Sequence, residues 1–236
     1  MVRDLEPPVE TCYFPRDDYI DVDVKLIAKP DFDAAQLAGL GAAICYRGKY
    51  PEKSLQVAMD GRHYSVLEHA NYTFEITHLS RVALAQLTRH RIASYSVESQ
   101  RYVGQDTHQV IIPTSFNKDA LIMNKFYEGM KILINAYQEG LEKGYPKEDL
   151  RYFLPQGIET TLLVTMNARE LRHFFELRCC NRAQWEIRRL ADKMLAICKE
   201  VSPELFADAG PACVRGKCPE GKHSCGRPRE DLMGII

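Results

Sequence analysis

Residues 71–77 read Asn-Tyr-Thr-Phe-Glu-Ile-Thr, with Tyr72, Phe74 and Ile76 on one side and Thr73, Glu75 and Thr77 on the other. A period of two suits a strand with one buried face and is incompatible with the 3.6-residue period of a helix. Two other stretches read as strands. Ile20, Val22, Val24 and Leu26 alternate with Asp21, Asp23 and Lys25 up to Pro30, and residues 157–166 carry β-branched Thr160, Thr161, Val164 and Thr165. Helical patterns lie between them. Asp33 to Tyr46 puts Leu37, Leu40 and Ile44 on one face, with Gly39 and Gly41 as weak points, and Leu55 to Met59 is short and apolar. Ser80 caps a helix carrying Val82, Leu84, Ala85 and Leu87. This helix is expected to end near Arg91, where Ser94-Tyr95-Ser96 offers the backbone competing hydrogen bonds and begins a polar loop.

Val110-Ile111-Ile112 before Pro113 suggests a short strand. Asn117 is expected to cap a long amphipathic helix to Glu142, stopped by Gly144. Pro146 opens a short helix carrying Arg151, closed by Leu154-Pro155. Asn167 caps a helix with Glu170 at its third position, a near capping box, and a second helix runs from Asn181 to about Glu200. Residues 1–18 read as an extended arm.

The 236 residues suffice for one domain with a real core, over 1–205, followed by a Cys-rich extension, 206–236. With a net charge of −1 the chain as a whole binds no polyanion, so any basic site is local. No apolar run approaches membrane-spanning length and residues 1–15 hold no signal-peptide core. The eight cysteines therefore read as cytoplasmic thiols rather than a disulfide framework. Cys213, Cys218, His223 and Cys225 lack a standard zinc-finger spacing, although four soft ligands so close in sequence could close a tetrahedral site; no metal is assigned.

The chemistry concentrates at Arg89-His90-Arg91-Ile92-Ala93-Ser94-Tyr95-Ser96-Val97-Glu98-Ser99-Gln100-Arg101-Tyr102. Guanidinium forks match phosphate oxygens bidentately, and loop hydroxyls and backbone N–H groups add donors. Arginines at this density also form ordinary solvated faces, so the tripeptide alone is weak. In His63-Tyr64-Ser65-Val66-Leu67-Glu68-His69 the histidines are six apart, unlike the i, i+4 pair of a zinc-binding helix. Arg178 falls on the stripe of Leu171 and Phe174 and needs an anionic or carbonyl partner if it turns inward, or else snorkels at the helix end.

These blocks together resemble the flavin-dependent thymidylate synthases. The resemblance rests on His-x-Ser-x-x-Glu-His at 63–69, on Arg-His-Arg, seven residues, then Ser99-Gln100-Arg101-Tyr102, on Arg151-x-x-Leu154-Pro155, and on Asn167-Ala168-Arg169 with Leu177-Arg178 and Ala183-Gln184-Trp185-Glu186. It runs from about Arg62 to Glu186. It implies an α/β (α+β) fold, with a largely antiparallel mixed sheet flanked by long helices. It also implies reductive methylation of dUMP to dTMP, with 5,10-methylenetetrahydrofolate as carbon donor, FAD as flavin and NADPH as reductant, in a homotetramer with shared sites. His63, Ser65, Arg89, His90, Arg91, Asn167, Arg169 and His173 match cofactor positions. Glu68, Gln86, Arg89, Glu98, Ser99, Gln100, Arg101, Arg151 and Arg178 match nucleotide positions, and Arg178 the catalytic one, beside the uracil imide.

Two departures stand out. Ser96-Val97 replaces the Asn-Glu of many relatives, with Glu98 one place later, and His173 stands where some relatives have Asn. Two other classes are compatible with the residues. Six Arg against three Glu between 169 and 189 suit an RNA- or nucleotide-binding module, although no single-stranded-RNA platform motif accompanies them. Cys179 or Cys180 near arginines suits a Cys-nucleophile methyltransferase, although bystander thiols are commoner.

Overall fold

The computed structural model describes residues 20–104 and 109–232. The expected arm at 1–18 lies outside them. Contacts divide the chain into two compact units, one holding 80–82 and 98–160, the other 22–79, 83–97 and 161–232.

The second unit carries the sheet. Its strands are β1 (Asp23–Ala28), β2 (Asn71–Ser80), β3 (Ala93–Val97) and β4 (Glu159–Asn167), in the order β1-β2-β4-β3. β1 runs antiparallel to β2 with Val24 opposite Ile76, and β3 antiparallel to β4 with Tyr95 opposite Val164. Tyr72, Phe74 and Ile76 are fully buried, so the alternation of β2 is realised side chain by side chain. Each contributes roughly 1.5–3 kcal/mol of apolar burial. Covering them are α6 (Ala168–Arg178) and α7 (Trp185–Val201), whose Leu171, Phe174, Phe175, Leu190 and Met194 share the same core.

Ser94-Tyr95-Ser96 forms strand β3 and not a polar loop. The backbone groups for which the serines compete are taken by the ladder to β4. The preceding helix, α3 (Arg81–Leu87), stops before Arg91. Thr88 donates its hydroxyl back to the Leu84 carbonyl (3.1 Å), and the single Tyr95 hydroxyl proton serves the carbonyls of Leu87 (2.9 Å) and His90 (2.8 Å). Arg89, His90 and Arg91 thus stand on a short link between α3 and β3.

α1 (Ala34–Tyr46) is capped by Asp33, but it buries Ala34, Ala38, Gly39, Ala42 and Ala43, leaving Leu40 and Ile44 exposed. Its apolar stripe is therefore not the face covered within this chain. At Gly39 an added Cβ would lie 2.5 Å from the Pro51 carbonyl oxygen of α2 (Pro51–Asp60), which explains a glycine inside a helix there.

In the first unit α4 (Ala120–Glu142) is capped by Asp119, whose carboxylate accepts from the Leu121 and Ile122 N–H groups, and not by Asn117, which lies in a 3-10 turn (Thr114–Lys118). Val110 makes an isolated bridge to Ile158 in place of the expected strand. Arg151 follows α5 (Lys147–Leu150) on a 3-10 turn rather than lying within it.

α7 starts after Gln184 rather than at Asn181, and Asn181 instead donates to the Arg227 carbonyl. That bond belongs to a set tying the tail back to α6 and α7. Arg229 pairs with Asp192 at 3.0 Å and donates to the Cys179 carbonyl, and Lys199 donates to the Leu232 carbonyl. Among the described residues no helix is long and apolar enough to cross a membrane, and no group of three His, Cys, Asp or Glu could hold a metal ion.

Candidate active site

α6 organises the site in the second unit. Asn167 accepts the Glu170 N–H at 2.9 Å and so fixes the first turn. Glu170, Phe174 and Arg178 then recur at i, i+4 and i+8, a single row along the helix. The His90 ring lies edge-on to Phe174, with centroids 5.0 Å apart and planes at 86°. Its Nδ1 is 2.9 Å from Glu170 Oε1, and its Nε2 lies 3.2 Å from Arg178 Nε. Arg178 Nη2 also donates to the Gln86 carbonyl at 3.4 Å.

These contacts determine the protons. An arginine Nε always carries hydrogen, so His90 Nε2 must accept. The ring is then neutral, with its proton on Nδ1 and donated to Glu170. Burial lowers the His90 pKa from its ordinary value; the Glu170 hydrogen bond opposes this and the charge of Arg178 adds to it. Burial and then the charge of Arg89 lower that of Arg178, so two guanidiniums feel each other. Among the described residues no carboxylate pairs with Arg89, Arg91 or Arg178. Uncompensated cations at one place are a donor set for an anionic ligand.

Beside this row lies a cavity of about 380 Å³, walled by Tyr64, Glu68, Ile92, Asn167, Arg169 and His173, with Glu170, Arg172, Glu176 and Arg215 completing it. Its size is ordinary for a small-molecule pocket. Arg169 pairs with Glu68 across it, and Arg215 pairs with Glu176 at 3.0 Å. Arg172 is buried in a bidentate contact with Asp208. His63 and Ser65 are exposed near the 3-10 turn Tyr64–His69 and do not wall the cavity.

The first unit gathers a second group. Arg101 Nε reaches the Glu148 carboxylate at 2.6 Å, and Arg151 Nε donates to the Glu148 carbonyl at 3.0 Å. Lys147 donates to the Tyr102 carbonyl, and the Arg101 N–H donates to Ser99 Oγ. Of these three cations only Arg101 meets a carboxylate, while Arg151 and Lys147 are held by backbone carbonyls. The backbone carbonyl of Glu98 accepts from Arg81 at 2.8 Å, and its charge opposes the lowering that burial imposes on the Arg81 pKa. Gln100 is half-buried in the same stretch.

Sequence reasoning reached Glu170 only as a capping residue. The signal was available, since a carboxylate four residues before Phe174 and eight before Arg178 shares their stripe. Tyr64, Arg172, Glu176 and Arg215 were missed because nothing local marks them as cavity walls.

The fold has a solved counterpart. The UMP/dUMP methylase PolB from Streptomyces cacaoi, a structure bound with 5-Br dUMP, superposes with a TM-score of 0.69 over 79% of this chain and 93% of its own, at 24% identity. The class is thus a mixed α/β fold shared with that methylase. A family profile described as thymidylate synthase complementing protein, Thy1, matches residues 25–204. Flavin-dependent thymidylate synthases from Geobacter sulfurreducens and Clostridium tetani are 46% and 45% identical, over 85% and 75% of this chain and 92% and 78% of their own. The chain belongs to the flavin-dependent thymidylate synthase family.

Proposed function

We propose that the protein converts dUMP to dTMP by reductive methylation, with 5,10-methylenetetrahydrofolate giving the carbon and NADPH the electrons. When bound, FAD supplies a two-electron hydride donor. The residues fit such a group, because Arg89 and Arg91 are exposed cations on a short link with no carboxylate paired to them among the described residues. We assign His63, Ser65, Arg89, His90, Arg91, Asn167, Arg169 and His173 to the flavin side. Glu68, Gln86, Arg89, Glu98, Ser99, Gln100, Arg101, Arg151 and Arg178 are assigned to the nucleotide.

The observation that carries the reading is the pose of Arg178. Two of its five N–H donors are engaged by His90 and the Gln86 carbonyl, and among the described residues Nη1 has no protein acceptor. An edge held this way can donate to a uracil ring as its imide loses or shares its proton. Negative charge developing there is stabilised as in an oxyanion hole, and C5 becomes nucleophilic. No enzyme thiolate is required: burial and then Asp192 push the Cys179 thiol pKa far up, so it is a poor nucleophile.

A cytoplasmic homotetramer is part of the same proposal. The seven described cysteines are all free, as a reducing compartment keeps them, and exposed Leu40 and Ile44 on α1 suit subunit burial. The test is direct. Protein reconstituted with FAD is incubated anaerobically with dUMP, methylenetetrahydrofolate and NADPH, and dTMP is quantified by chromatography. Folded, flavin-loaded protein that makes no dTMP overturns the reading.

A further inference from the structure

We propose that Glu170 is a positioning residue for this reaction: through His90 it fixes the plane of the Arg178 guanidinium. The inference rests on the reading of Arg178 given above. Its ground is geometric. Glu170 and Arg178 lie two turns apart on one face of α6, roughly 12 Å along the axis at 1.5 Å per residue. They cannot touch directly. The His90 imidazole bridges them over Phe174, one nitrogen on each. The Glu170 side chain is 7% exposed and that of His90 3%, so water does not substitute for either contact.

A carboxylate accepts only, so it selects the tautomer with the proton on Nδ1. The lone pair on Nε2 is then aimed at Arg178 Nε. With Gln86 holding Nη2, two points fix the planar fork, and the Nη1 edge has one direction left. A histidine without Glu170 is free to carry its proton on Nε2, where it faces the Arg178 N–H and drives the guanidinium out of line. Protonating the ring has the same effect. The groups facing the imidazole are Glu170, Arg178 and His173 from α6, Arg89 beside it on the link, and the Tyr95 hydroxyl from β3 at its carbonyl.

The experiment compares wild type with Glu170→Gln, Arg178→Ala and the double variant. All are loaded with FAD, and folding is checked by thermal unfolding and flavin stoichiometry. The expected result for Glu170→Gln is a kcat lowered roughly tenfold or more, as for a lost orienting partner, with the dUMP KM changed by no more than about twofold. Turnover falls as acid protonates His90. Removing the Glu170 hydrogen bond, which raises that pKa, moves the acid limb of the kcat profile to lower pH. A residue that serves stability alone leaves that limb in place. In the Arg178→Ala background Glu170→Gln should change kcat little, because its effect passes through Arg178. Should Glu170→Gln not hold FAD, Glu170→Asp withdraws the carboxylate by one methylene, and a wild-type kcat and acid limb in that variant overturn the assignment. Wild-type values in Glu170→Gln, or full additivity in the double variant, also overturn it. Absence of dTMP from wild type refutes instead the function on which it rests.

Discussion

Asp208→Ala tests how α6 is held in place. The Arg172 side chain is 5% exposed, and its guanidinium makes four contacts: Asp208 at 2.7 and 2.9 Å, the Leu205 carbonyl at 2.6 Å and the Tyr64 hydroxyl at 3.4 Å. The Tyr64 ring adds a cation–π contact at 4.8 Å. The substitution removes two charge-assisted hydrogen bonds, worth about 1.5–3 kcal/mol each in isolation. That sum is an upper bound, because the Asp208 side chain is 50% exposed and water refills its place. The expected loss is about 2–3 kcal/mol, which at roughly 2–4 °C per kcal/mol lowers Tm by about 4–12 °C. The pH dependence follows from the sign of the shift. Burial alone would raise the Asp208 pKa, but the hydrogen bond and charge of Arg172, then the charge of Arg215, hold it below its ordinary value. A carboxylate with a depressed folded pKa contributes stability above its unfolded value of about 3.9 and loses it as pH falls through the folded value. The gap between wild type and Asp208→Ala, read by urea titration, should therefore be full at pH 7 and shrink below about pH 4. A gap under about 0.5 kcal/mol at pH 7, or one that persists unchanged at pH 3, refutes the clamp.

Arg178→Ala should lower turnover by roughly 10²–10³-fold and weaken dUMP binding less, while Arg178→Lys, lacking the planar fork, rescues poorly; near-normal turnover in a folded, flavin-loaded variant removes Arg178 from the chemistry. Cys179→Ala and Cys180→Ala, singly and together, should keep dTMP formation, and total loss with intact flavin content would restore a thiolate mechanism. Arg101→Ala should weaken dUMP binding by about 1.5–3 kcal/mol with flavin content retained, measured by equilibrium titration; equal loss of FAD and dUMP would put Arg101 on the flavin side.

Strand β2 was readable because its period is local and its face fully buried. The Asn167 cap and the inward turn of Arg178 were readable for the same reason. Strand β3 was not, since its two serines favour turns and caps over strands and the ladder that orders them lies on β4, far along the chain. On α1 the period located an apolar face without saying what covers it, and the chain itself buries the alanine face instead. The caps of α4 and α7 fell a few residues away from the asparagines chosen, because Asp119 and Gln184 offer their carbonyl or carboxylate oxygens to the same kind of orphan N–H. The bridge from Glu170 through His90 to Arg178 joins residues on separate elements, so no local pattern announces it.

That bridge also explains how one helix serves folding and chemistry together. Burying a carboxylate and an imidazole, and half-burying a guanidinium, beside Phe174 costs desolvation that a hydrophobic row would avoid. The arrangement is tolerable because its buried contacts are matched: Glu170 Oε1 by the His90 N–H, the imidazole lone pair by Arg178 Nε, and Glu170's own backbone N–H by Asn167, which leaves the Nη1 edge of Arg178 open. A matched row is rigid, since displacing one member exposes the next. Placing the cap at Asn167 therefore sets the turn that carries Glu170. Glu170 sets the tautomer of His90, and His90 sets the edge that Arg178 presents at the far end of the helix. On the proposed role of Arg178, precision at its end of α6 is inherited from a hydrogen bond at the opposite end, which gives a polar row a use where apolar residues would pack at lower cost.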